Sequence, residues 1–189
     1  MRISGGSAKG RKVVLRKAFI RKSGLDELRP TSGKVREAIF NILGARVPES
    51  RFLDLFAGTG AVGLEALSRD AREVVFVDIS GPRIRLIDEL AERFGFTDRT
   101  FSTKEDAGNF LRKNIMPYDI IFVDPPYDSD EITKILPLLD SDAVLAPDGT
   151  LIIEHAKKTA LPEKLETAVL KKRYKYGDTM LSLYRKESL

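Results

Sequence analysis

Residues 118–127 read Tyr-Asp-Ile-Ile-Phe-Val-Asp-Pro-Pro-Tyr, a short apolar run that stops at an acid, two prolines and an aromatic ring. Ile120, Ile121, Phe122 and Val123 are the β-branched and aromatic residues of a strand buried on both faces of a parallel sheet. Pro125 and Pro126 have no backbone N–H to donate, so the strand ends there. Asp124, the carbonyl oxygens around Pro125 and the ring of Tyr127 are then left at the carboxyl end of a central strand, where open α/β sheets bind ligands. Oxygen acceptors beside a flat ring suit a planar base with an exocyclic amine, since the ring can stack while the oxygens accept from the N–H bonds. The plain alternative is a strand-ending turn with an incidental acid. Other parts of the chain weigh against it.

The first of these is Asp54-Leu55-Phe56-Ala57-Gly58-Thr59-Gly60-Ala61-Val62-Gly63, which follows an apolar strand and opens a helix. Glycines there let the backbone turn at positive φ and approach a ligand beside a helix N-terminus. Gly58, Gly60 and Gly63 match the spacing of the dinucleotide fingerprint, and Asp78 lies 20 residues beyond Gly58 at the end of the next strand. A dehydrogenase is therefore a rival on spacing alone; a P-loop is not, because no Gly-Lys-Ser/Thr follows. Asp54 inside the loop would repel a pyrophosphate but accept from the ammonium of a methionine-type ligand, and the Asp-Pro-Pro-Tyr turn has no task in hydride transfer. Together they point to S-adenosylmethionine. Asp78 would bind the ribose hydroxyls and Asp106, at the end of the third strand, the adenine amine; helix capping is the competing reading of each.

Around these motifs the pattern alternates between strands and helices. Strands are expected over 52–56, 74–77, 100–103, 119–123 and 150–154, with helices over 61–69, 82–94, 107–113 and 131–139 between them. An earlier helix over 32–43 has Thr31 or Ser32 as N-cap and Gly44 as stop. The tail departs from the pattern: 168–175 and 180–184 flank Gly177-Asp178, a hairpin signal without a crossover helix. The expectation is an α/β fold, a Rossmann-like doubly wound sheet with an antiparallel C-terminal hairpin and a small basic N-terminal β extension. The extension would occupy 1–30, with short strands around 13–15 and 19–20, and the main domain 31–189.

The 189 residues, 42% apolar and 32% charged, describe an ordinary globular chain with no membrane-span run and no signal peptide, which makes the cytoplasm the default. With no cysteine and a single histidine, His155, neither a disulfide nor a thiolate or histidine metal site is expected. His155 reads as structural. The net charge of +4 hides an asymmetry: eight Lys and Arg and no acid fall within residues 1–22, leaving 24 basic against 28 acidic residues beyond. Arg2, Lys9, Arg11 and Lys12 begin this basic stretch, which favours nucleic acid through counterion release.

With these residues in this order, the chain resembles the class I S-adenosylmethionine-dependent amino-methyltransferases, and within them the RsmD family. The resemblance is carried by Arg2-Ile3-x-Gly5-Gly6, Gly10-Arg11-Lys12, Leu28-Arg29-Pro30-Thr31, the run from Val35 to Leu43, and the run from Phe56 to Arg69. It extends over essentially the whole chain, including Gly177-Asp178-Thr179. It implies about seven strands with the last one antiparallel, and methylation of the N2 amine of one guanine in 16S ribosomal RNA, free or in an assembling small subunit, without metal or membrane. Asp124, Pro125 and Tyr127 match the family's catalytic turn; Phe is also accepted in place of Tyr127, so the phenolic hydroxyl is not chemically required. Asp54, Phe56, Gly58, Gly60, Asp78 and Asp106 would form the cofactor site, and Arg2, Lys9, Arg11, Lys12, Arg29, Thr31 and Arg36 would meet RNA. For Arg36 a helix face paired with a nearby acid is equally open. The turn alone fits any exocyclic amine, so an adenine-N6 methyltransferase is the first alternative, and a non-catalytic nucleic-acid-binding protein on the same fold the second.

Overall fold

Strands rich in Val, Ile, Leu and Phe on both faces need cover on both faces, and the chain supplies it with helices between them. The computed structural model describes residues 2–12, 32–127 and 129–187. Its strands are β1 Arg51–Leu55, β2 Glu73–Asp78, β3 Thr100–Lys104, β4 Tyr118–Val123, β5 Leu145–Ala156, β6 Ala168–Tyr176 and β7 Thr179–Lys186. They form one seven-stranded sheet in the order β3-β2-β1-β4-β5-β7-β6. The first five are parallel, and β7 runs antiparallel to both β5 and β6. The helices are α1 Gly33–Leu43, α2 Ala61–Ser68, α3 Gly81–Phe94, α4 Ala107–Lys113 and α5 Glu131–Leu139. Among the described residues no helix is long and apolar enough to cross a membrane.

Alternation along the strands divides the core in two. Phe52, Phe76, Phe122 and Ile152 point to the face covered by α1, α2 and α3. Leu53, Val75, Ile121 and Ile153 point to the face covered by α4 and α5. The helix ends follow local chemistry: the Ser32 side chain accepts from the Val35 amide, Pro82 sits in the first turn of α3, and Gly95 at φ 77° closes that helix.

Gly63 sets how closely α2 seats on the sheet. A Cβ there would lie 2.2 Å from the Phe76 ring and 2.8 Å from Val74. Gly63→Ala is therefore expected to destabilise the fold by about 1–3 kcal/mol, the usual cost of overpacking. A urea melt should show a lower midpoint with an unchanged slope.

The strand β5 begins five residues earlier than the sequence pattern suggests, at Leu145. Pro147 and Gly149 look like a turn, yet the chain only bulges: pairing with β4 jumps from Tyr118–Leu145 to Ile120–Thr150. The expected short strands around 13–15 and 19–20 lie outside the described residues. Within residues 2–12, Arg2 and Lys12 form an antiparallel bridge.

That N-terminal segment is fastened to α2, and Ile3 and Ala8 join the core under α1–α3. Glu65, fully buried, accepts from the Ser4 amide (2.9 Å) and hydroxyl (2.6 Å), the Gly5 amide (2.8 Å) and Arg69 Nε (3.1 Å). Ser68 adds bonds to Ala8 and Gly5, at 2.9 and 2.6 Å. Gly6, at φ 72°, passes so close that a Cβ would sit 1.6 Å from the Ser68 carbonyl oxygen.

Candidate active site

The carboxyl ends of β1, β2, β4 and β5 bring four acids to one face of the sheet. Asp54 is in register with Phe76 and Phe122, and Phe122 with Ile152. Two residues further along, on the same face, come Asp78, Asp124 and Glu154. A row of acids at the ligand-binding edge is costly unless each has work to do.

Asp78 organises the glycine loop. One carboxylate oxygen accepts from the Gly58 amide (2.9 Å), the other from the Ser80 amide (2.8 Å), and Arg83 Nη1 approaches both at 3.4 and 3.5 Å. The loop turns through left-handed conformations at Gly58 (φ 55°) and Gly60 (φ 69°). Phe56 does the same at φ 61°, a conformation that strains a bulky side chain by about 1–2 kcal/mol. Such strain clusters where a loop must present its backbone to a ligand.

Asp54 lies beneath the loop rather than in its open part. It is 2% exposed and accepts from the Gly63 amide at 2.8 Å, which fixes the first turns of α2. Burial pushes its carboxyl from 3.8 up to about 8, against the lowering bond from Gly63, with the charge of Asp78 adding to the rise. A carboxyl raised on folding binds a proton in the native state that the unfolded chain has released. Stability then falls as pH rises from about 4 to about 8. Asp54→Asn should remove this slope: between pH 5 and pH 8 the parent should lose about 2–4 kcal/mol relative to the variant. Denaturant melts at the two pH values check it; parallel curves for both proteins would contradict it.

The Asp-Pro-Pro-Tyr turn is held at both ends. The Asp124 amide donates to the Leu55 carbonyl at 3.4 Å, which ties the turn to β1. The Tyr127 hydroxyl donates to Glu154 Oε1 at 3.2 Å and lies 2.9 Å from Thr179 Oγ1. Burial raises the phenol pKa, the Thr179 bond lowers it, and the charges of Glu154 and Asp124 raise it further, so the hydroxyl stays protonated.

Other expected residues sit elsewhere. The Asp106 side chain caps α4 by accepting from the Asn109 amide at 2.9 Å, just beyond the carboxyl end of β3. Arg36, expected to meet RNA, is buried at 5% exposure. Its Nε lies 3.4 Å from Glu65 and its Nη2 donates to the Arg2 carbonyl at 2.6 Å, so it braces the N-terminal segment instead of facing a substrate. Arg2, Lys9, Arg11 and Lys12 are exposed. They belong to the segment fastened at the last turn of α2, which leads away from the glycine loop over roughly 12 Å. The structure therefore does not bring them to the Asp-Pro-Pro-Tyr turn. Arg29 and Thr31 lie outside the described residues. His155 is buried, with Nδ1 3.0 Å from the Ala156 carbonyl and Nε2 2.8 Å from Ser182 Oγ. Its Nδ1 therefore carries the proton, burial lowers its pKa, and it is a structural residue.

Sequence reasoning missed Arg83 and Thr179 as members of this edge. A cavity of about 460 Å³, lined by Arg51, Phe101, Phe110, Met116 and Tyr118 among others, opens near the opposite end of β1 and β4 and has no share in the site.

A family model described as "conserved hypothetical protein 95" matches residues 1–185. Ribosomal RNA small subunit methyltransferase D of Escherichia coli (strain K12) is 31% identical, across 100% of this chain and 91% of its own. The chain belongs to the RsmD family. Another relative, YlbH of Bacillus subtilis (strain 168), carries a provisional rRNA methyltransferase name and is 35% identical over 98% of this chain and 99% of its own. Among solved structures, the yhhF protein of Escherichia coli, provisionally titled a methyltransferase, superposes with a TM-score of 0.86 at 28% identity, covering 100% and 99% of the two chains. An RNA methyltransferase from Salinibacter ruber, solved with S-adenosyl-L-homocysteine, shares the fold at TM-score 0.65 and 13% identity, covering 85% of this chain and 95% of its own. The RsmD-family chain thus has a methyltransferase sheet, with its antiparallel last hairpin, as the motifs imply.

Proposed function

We propose that this RsmD-family protein transfers a methyl group from S-adenosylmethionine to the exocyclic N2 amine of a guanine in small-subunit (16S) ribosomal RNA. What carries the reading is the placement of Asp78 and Asp124 on either side of the end of β1: one is bonded to the glycine loop, the other opens the Asp-Pro-Pro-Tyr turn. The residues fit the cofactor. Gly58 and Gly60 offer bare backbone, the Asp78 carboxylate suits ribose hydroxyls, Phe56 borders the loop, and Asp106 stands at the end of β3 for an adenine amine. Asp54 lies under the loop, where a ligand ammonium would favour its charged form.

When bound, S-adenosylmethionine supplies a sulfonium methyl already activated for transfer. The protein's task is the nucleophile. The guanine N2 lone pair is delocalised into the ring. Asp124 and the Pro125 carbonyl accept from its N–H bonds and draw the nitrogen toward tetrahedral geometry. Those bonds strengthen as positive charge develops, which stabilises the transition state more than the ground state. Holding the amine in line with the methyl adds the orientational gain. Tyr127 stacks on the base, worth about 1–3 kcal/mol by analogy with single-strand readers. The base leaves its helix to enter. Guanine in place of adenine follows the family, and the ribosomal substrate is supported by the names of the Escherichia coli and Bacillus relatives.

Small subunits purified from cells that lack the gene should accept labelled methyl from S-adenosylmethionine, while mature subunits and double-stranded DNA should not. Transfer to DNA alone would overturn the substrate class. Neutralising Arg2, Lys9, Arg11 and Lys12 together should raise KM for the subunit and flatten its salt dependence by about 0.7–0.9 in log–log slope per lost phosphate contact. Cofactor affinity should not change. An identical slope would leave this face without a role in RNA binding.

A further inference from the structure

The C-terminal hairpin reaches the catalytic turn because β7 runs against its neighbours. Beside parallel β5, an antiparallel strand starts at the carboxyl edge, so Thr179, its first residue, pairs with Ala156 and stands next to Glu154 and Tyr127. Gly177, at φ 64°, makes the tight turn from β6 that delivers it.

The phenolic proton goes to Glu154 Oε1 at 3.2 Å. The Thr179 hydroxyl must then be the donor in its 2.9 Å contact with the phenolic oxygen. Both hydrogen-bonding capacities of the hydroxyl are used, by residues from two different strands. Pro125 and Pro126 have no N–H to donate, and the Ser129 amide bonds within the turn to Pro126 at 3.1 Å.

We propose that Glu154 and Thr179 are positioning residues that hold the Tyr127 ring at the depth and tilt at which it stacks on the target base. This rests on the methyl-transfer reading above. It gives the hydroxyl a mechanical task and no chemical one, and it couples the tip of the C-terminal hairpin to the catalytic turn. Neither residue touches the amine or the methyl donor in this account. Their effect passes through the ring.

The test is a double-mutant cycle on the full chain, with undermethylated small subunits as substrate. Single-turnover rate, subunit KM, cofactor Kd and melting temperature are measured for Tyr127→Phe, Thr179→Val, the double variant and Thr179→Ser. Thr179→Val is expected to slow single-turnover transfer about five- to tenfold, as for loss of one buried hydrogen bond, with cofactor Kd within twofold. Thr179→Ser should restore the rate, and the double variant should be no slower than the worse single one. Parental rates for Thr179→Val, losses that multiply in the double variant, or failure of Thr179→Ser to rescue would each overturn the clamp. A drop in melting temperature for Thr179→Val leaves the rescue and the coupling as the deciding readouts. If the parent transfers no methyl to these subunits, the proposed function falls; if it does and the cycle is additive, only the clamp falls.

Discussion

Asp124→Ala is expected to slow methyl transfer by a factor of about 10²–10³ or more, the scale seen when a transition-state hydrogen-bond partner is removed. Cofactor affinity should stay within a few-fold, because Asp124 opens the Asp-Pro-Pro-Tyr turn while the glycine loop is bonded to Asp78. The sign follows from charge: a carboxylate facing an amine that becomes cationic stabilises the transition state more than the bound substrate. Equilibrium titration with S-adenosylmethionine and single-turnover transfer separate the two effects. A variant that loses cofactor binding instead would move Asp124 from the base to the cofactor.

Glu65→Ala should produce the largest loss of stability, about 3–5 kcal/mol, the usual cost of removing one partner of a buried ion pair. Arg36 would be left buried and charged, and the Ser4 and Gly5 amides would lose their acceptor. The loss should be regional before it is global. Exchange of the Ser4 and Gly5 amides should accelerate most, since they are held by Glu65 itself. Arg69→Ala is the control: Arg69 is about one quarter exposed, and its loss leaves Glu65 paired with Arg36, so about 1 kcal/mol is expected. Equal losses from the two variants would contradict the central place given to Glu65.

The contrast between these sites explains what the sequence makes readable. The helices over 107–113 and 131–139 were legible to the residue, because alternation of apolar strands and helical stretches is a local signal. The place of Asp78 at the end of β2 was legible because a strand, a loop and a helix of standard length fix the spacing, whereas its bond to the Gly58 amide was not expected. Arg36 was not. Its position on a helix reads equally well as solvated or substrate-facing, and the buried Glu65 that decides the matter lies 29 residues away. The Tyr127 contacts with Glu154 and Thr179 span 27 and 52 residues and depend on the register of an antiparallel strand. Nothing local encodes that register. The start of β5 was hidden for another reason: Pro147 and Gly149 carry turn signals, yet the sheet absorbs them as a bulge.

The measurement closest to the central claim is the identity of the methylated nucleoside. Small subunits from cells lacking the gene are incubated with the protein and labelled S-adenosylmethionine, and their 16S RNA is digested to nucleosides and separated. Label in N2-methylguanosine, absent with the Asp124→Ala variant, is the predicted result. Label in N6-methyladenosine, or transfer that survives the loss of Asp124, would contradict the account.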